Sequence, residues 1–195
     1  GIGAAAIKIG MDFEESMSKV KAMSGATGEE MVLLEQAARD AGASTSKSAK
    51  DAADALGFMA LAGWDSTTSM EALMPVLRLS EAGNIDLAKA SSLVTDSMSA
   101  MGLTTKDLPG YLDIVAQTAR SSNTDIDQMA EAYLKVGGTL RGLGVPLEES
   151  ALALGLLANS GIKGSEAGTA LNAVMANLTS PTGRAKQALE ELSFS

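Results

Sequence analysis

The 195-residue sequence predicts an all-α protein of about nine or ten short helices in a compact, irregular helical bundle. Three observations predict it. Apolar residues recur at three- and four-residue intervals along almost the whole chain, the period of a helix face and not the alternation of a strand. A Ser or Thr followed three residues later by an acid marks several helix starts. Glycine or proline interrupts the pattern before any element becomes long.

In the first element Ile9, Phe13, Met17, Val20 and Met23 fall on one face, and the run stops at Ser24-Gly25. Thr27 and Glu30 form a T-x-x-E capping box, followed by a stripe of Met31, Leu34, Ala38 and Ala41 ending at Gly42. The next helix is expected to take its cap from Ser44 to Ser46 and to bury Ala49, Ala52, Ala53, Leu56, Met59 and Ala60 before Gly63. Thr68 with Glu71 reads as a second capping box, and Pro75 is expected to bend that helix or to start its next part. Leu73, Leu77 and Leu79 carry its apolar content to Gly83.

After "GNID", Ala90, Leu93, Val94, Met98 and Met101 predict a helix closed by Gly102. Pro109 suits the first turn of the next, which uses Leu112, Val115, Ala116 and Ala119. Thr124 with Asp127 is expected to open a helix carrying Ile126, Met129, Ala130, Tyr133 and Leu140 toward Gly142. Pro146 opens "PLEESALALGLLANSG", and Leu171, Val174, Met175 and Leu178 belong to a helix that stops before Pro181. "GRAKQALEELSFS" begins one more.

No Pro/Ser-rich linker or long charge run divides the chain. The expectation is a single α-helical module over 1–195, with sub-lobes 1–102 and 103–195 as the alternative division. "AADALGFMALAGW", "MAEAYLKVGGTL" and "ALALGLLANSGI" echo one another weakly, but no fixed period emerges from the sequence, so a solenoid-like arrangement stays an option. Neither the opening "GIGAAAIKIG" nor the final segment reads as a natural terminus, and the module is expected to be a piece of a much longer chain.

Composition narrows function by exclusion. The chain has no histidine and no cysteine, which removes the commonest general base, thiolate nucleophiles, disulfides and most zinc sites. A net charge of −9 argues against direct nucleic-acid binding, which draws its affinity from clustered lysine and arginine. No apolar run approaches the roughly 20 residues that span a bilayer. With three phenylalanines, two tyrosines and one tryptophan, packing must rest on Leu, Met and Ala, whose small or flexible side chains let helix axes approach closely.

The carboxylate doublets Glu14-Glu15, Glu29-Glu30, Glu148-Glu149 and Glu190-Glu191 point about 100° apart on a helix, so neither member faces its neighbour's substrate. They read as solvated surface or first-turn charge. "GSEAG" (164–168) and "GTLRG" (138–142) match G-x-x-x-G, but their polar neighbours favour close packing in a water-facing domain over a membrane dimer. "GGTLRGLG" lacks the lysine and hydroxyl arrangement of a phosphate loop and follows a helix instead of a strand. Tyr111 and Tyr133 read as core. Trp64, directly after a helix-ending glycine, reads as a staple across that turn, with an exposed anchor as the alternative. Candidate helix-packing or partner contacts are therefore Trp64, Gly161, Gly164, Gly168, Leu171 and Met175; no catalytic, cofactor or metal site is expected.

The order of these segments resembles the core region of phage tail tape measure proteins. "FEESMSKVKAMSGATGEEMVLLEQAARDAG" is similar to the family's entry into this region, "SAKDAADALGFMALAGW" to its alanine-rich segment, and "VLRLSEAGNIDLAKASSLVTDSM" to the segment that follows. "GVPLEESALALGLLANSGIKGSEAGTALNAVMANLTSPT" resembles its most recognisable block, in which "GI-x-G" and "AGTAL" precede a leucine-ended helix and a proline. The match is colinear from about Phe13 to Leu192; Ser80 departs where the family more usually has alanine. The resemblance implies a structural protein of a phage or prophage tail that scaffolds tube assembly, sets tail length and leaves the tube during DNA ejection. It implies tail-tube, tail-tip or baseplate and assembly-chaperone partners with self-association, in the tail lumen of the virion and, during assembly, the host bacterial cytoplasm. The alternative is a non-viral α-helical adaptor that binds partner helices through Met and Ala grooves.

Overall fold

Short polar side chains that reach back to free amides set the helix starts of this chain. The computed structural model describes residues 2–181 and 183–192, with the side chains of all of these except 2–6, 185 and 189. Among the described residues there are ten helices and no strand: α1 (Ile2–Ser24), α2 (Gly28–Ser44), α3 (Ala49–Leu61), α4 (Ser66–Gly83), α5 (Leu87–Met101), α6 (Leu108–Ser121), α7 (Ile126–Leu143), α8 (Leu147–Asn159), α9 (Gly164–Thr179) and α10 (Gly183–Glu191). The all-α expectation holds, and the end of the "GRAKQALEELSFS" segment, 193–195, lies outside the described residues.

Several predicted caps move by a few residues. The Thr27–Glu30 box forms as expected, the Thr27 amide donating to the Glu30 carboxylate over 2.7 Å. For α3 the cap is Ser48, boxed with Asp51, and not Ser44 to Ser46. Those earlier residues finish α2 instead: Ser44 Oγ donates to the Asp40 carbonyl, and Ser46 is held by Glu81. Asp65, and not Thr68, caps α4; the Thr68 amide donates to it over 2.7 Å, while Glu71 accepts from the Thr105 hydroxyl. Asp125 likewise replaces Thr124 at the start of α7. In both cases an aspartate, shorter than the glutamate of a box and charged, sits immediately before the first helical residue and takes the amide of the third. Pro75 lies inside α4, which continues through it. Ile9 and Met23, predicted on the inner face of the first helix, are exposed; Phe13, Met17 and Val20 carry that face.

A regularity absent from the residue pattern emerges from the caps. Those of α3, α5, α7 and α9 fall at Ser48, Asp86, Asp125 and Lys163, a recurrence of about 38 residues, the length of two short helices with their turns. The fifth residue after each cap is small and buried: Ala53, Ser91, Ala130 and Gly168. Helix lengths vary between the pairs, 13 residues in α3 against 18 in α7, and this blurs the period in the sequence.

The chain divides into two compact units, one of Gly1–Ser99 with Leu103–Leu112, the other of Ala100–Gly102 with Asp113–Ser195. In the first, α3 is the central rod, packed against α1, α2 and α4. It buries Ala52, Ala53, Ala55, Leu56, Gly57, Met59 and Ala60, a face almost without bulk, so its neighbours come close. At Gly42 α2 passes so near that a Cβ there would lie 2.4 Å from the Ala49 amide nitrogen. Ser16 Oγ donates to Asp54 over 2.7 Å, tying α1 to α3, and Lys50 pairs with the same carboxylate. Arg39 lies over the Phe13 ring at 4.2 Å. Tyr111 is buried with its hydroxyl donating to Ser97 Oγ over 3.0 Å, as its reading as core required.

In the second unit α7 packs chiefly on α9, and α8 touches both. Tyr133 is fully buried; its hydroxyl donates to the Leu147 carbonyl and meets Ser150 Oγ, each at 3.1 Å. Thr139 Oγ1 donates to Asn172 Oδ1 over 2.5 Å across α7 and α9.

Candidate functional site

The residues singled out from the sequence fall in both units. Trp64 belongs to the first. It follows Gly63, whose φ of +85° favours glycine, and is half-buried with its amide donating to the Met59 carbonyl over 3.1 Å. Gly161, Gly164, Gly168, Leu171 and Met175 belong to the second. Gly161 is exposed at the turn after α8 with φ +91°, closing that helix.

Gly164, Gly168 and Leu171 are brought together on the buried face of α9. A Cβ at Gly168 would stand 2.2 Å from the Ala132 carbonyl oxygen and 2.8 Å from Lys135 Cβ, so the backbones of α7 and α9 meet where no side chain fits. At Gly164 a Cβ would reach Glu131 Oε2 at 3.0 Å. Met175 is half-buried farther along. Of the two G-x-x-x-G matches, then, "GSEAG" is a close crossing, whereas Gly142 of "GTLRG" has nothing within reach.

Sequence reasoning missed other approaches of this kind. A Cβ at Gly137 would meet Met101 Cγ at 2.5 Å, and one at Gly155 would meet Ser122 Oγ at 2.6 Å. Gly155 floors an open cleft of about 340 Å³ between α6 and α8, with Ile114 and Thr118 on one wall and Ala151, Leu152 and Leu156 on the other. The signal was a glycine inside an apolar helical run, which in a helix costs stability unless a neighbour needs the space.

Several of the ionisable groups serve the helix ends. Hydrogen bonds from the Thr27 amide and hydroxyl hold the Glu30 carboxyl below its usual range, and bonds from Thr68 and Thr104 do the same for Asp65 and Asp107. Burial pushes Asp51 up, but the Ser48 bonds and nearby lysines outweigh it and leave it lowered. Ser46 lowers Glu81, and Lys19 lowers Glu15. The Tyr133 hydroxyl is pushed up to about 12 by burial. A general acid needs a carboxyl raised toward neutrality, the opposite of the shift of these lowered carboxyls. Among the described residues no cluster of three or more Asp or Glu could hold a metal ion, and no helix is long and apolar enough to cross a membrane. The arrangement offers contact surfaces: the α6–α8 cleft, and exposed apolar residues on α1, α2, α8 and α9.

Comparison with known proteins finds relatives among phage tail proteins. The chain is 36% identical over 195 residues to the tape measure protein of Pneumococcus phage Dp-1, covering 100% of this chain and 17% of that one. It is 33% identical over 186 residues to the probable tape measure protein of Escherichia phage P2, covering 94% of this chain and 23% of the relative. It thus spans about a fifth of their lengths. No solved structure matches it. The family model described as phage-related minor tail protein matches residues 35–195, and with a colinear all-α chain beneath that match, this chain belongs to the phage-related minor tail protein family.

Proposed function

We propose that this chain is a folded module of a tape measure protein, a non-enzymatic part of the phage tail that makes assembly contacts and is not itself the measuring rod. The single observation that carries this reading is the succession of short helices. A ruler needs long uninterrupted helix, at about 1.5 Å per residue. Here the longest helix among the described residues has 23 residues, and turns at Gly25, Gly63, Asn84, Gly102, Gly144 and Gly161 break the rest with positive φ. Membership of a phage tail family counts against a free-standing non-viral adaptor.

On this reading the module works in the tail lumen, after assembly in the host cytoplasm, against tail-tube, tail-tip or baseplate and chaperone proteins and against its own copies. The Gly164–Gly168–Leu171 face and Trp64 hold the surfaces in shape, and the exposed apolar residues supply the contacts. An in-frame deletion of the module in the parent phage tests it. The expected result is fewer tails of unchanged length in electron micrographs; tails shortened in proportion to the residues removed would overturn the reading.

A further inference from the structure

We draw no further inference here: the strongest candidate, the open cleft between α6 and α8 that is floored by Gly155 and edged by the exposed Leu152 and Leu156, carries nothing because nothing in the structure shows what covers it.

Discussion

The two units bring helices together by different means. In the first, apart from the close passage at Gly42, α3 meets its neighbours over Ala52, Ala53, Ala55 and Ala60, and junctions such as Thr27–Glu30, Ser48–Asp51 and Ser46–Glu81 are fastened by carboxylates whose hydrogen bonds lower their pKa. In the second, α7 meets α9 at Gly168 and α6 approaches α8 at Gly155, where the colliding atoms would be a backbone carbonyl and a serine hydroxyl. Alanine gives an approach with some buried area and some tolerance. Glycine gives a closer approach with none, because a methyl has nowhere to go.

The largest effect that sharpens this contrast is expected at Gly168. Replacement by alanine places a Cβ 2.2 Å from a carbonyl oxygen fixed in α7, and should cost about 3 kcal/mol, read from urea denaturation of the second unit by hydrogen exchange. Gly137→Ala meets the flexible Met101 side chain instead and should cost about 1 kcal/mol; equal costs would mean that backbone rigidity does not govern the crossing. In the first unit Leu56→Ala, at a site 1% exposed, removes bulk from an alanine-rich face with little left to fill the hole, and should cost about 3 kcal/mol. Trp64, the one tryptophan of the chain, reports that unit's melting by fluorescence.

Smaller effects separate the junctions. Ser48→Ala removes the α3 cap and should cost about 1 kcal/mol in the same fluorescence assay. Glu30, Asp51, Asp65, Glu81 and Asp107 all belong to the first unit, and each is lowered in the folded state. A lowered carboxyl adds stability that is complete above the unfolded pKa near 4 and is lost as pH falls through the folded value. The Trp64 midpoint should therefore hold from neutrality to about pH 5 and fall steadily toward about pH 3. Hydrogen exchange should show the first unit opening before the second; simultaneous opening would mean that its cap carboxylates do not set its acid stability.

Most elements and one cap box were legible because they depend on residues near in sequence. The helical period, the Thr27–Glu30 pair and Pro146 before α8 need nothing from the rest of the chain. Where the reading slipped, at Ser48, Asp65 and Asp125, two candidates stood within four residues, and the rival cap or its box partner is engaged elsewhere: Ser46 by Glu81, Thr68's partner Glu71 by Thr105, Thr124 by Gln128. Those competing bonds join distant or unmarked positions. Gly168 was legible as a contact glycine from its motif, while Gly137, Gly155 and the cleft beside α8 were not, since a glycine's neighbour is invisible until the chain has folded.

The sequence by itself determined helix identity, the exclusion of histidine and cysteine chemistry, and the phage tail resemblance, because period, composition and colinear motifs are written locally. Tertiary structure alone decided the recurrence of caps from Ser48 to Lys163 and the glycine crossings. Burial is a relation between segments: Gly137 and Gly142 lie on one helix five residues apart, and only the Met101 side chain across from the first makes it a crossing.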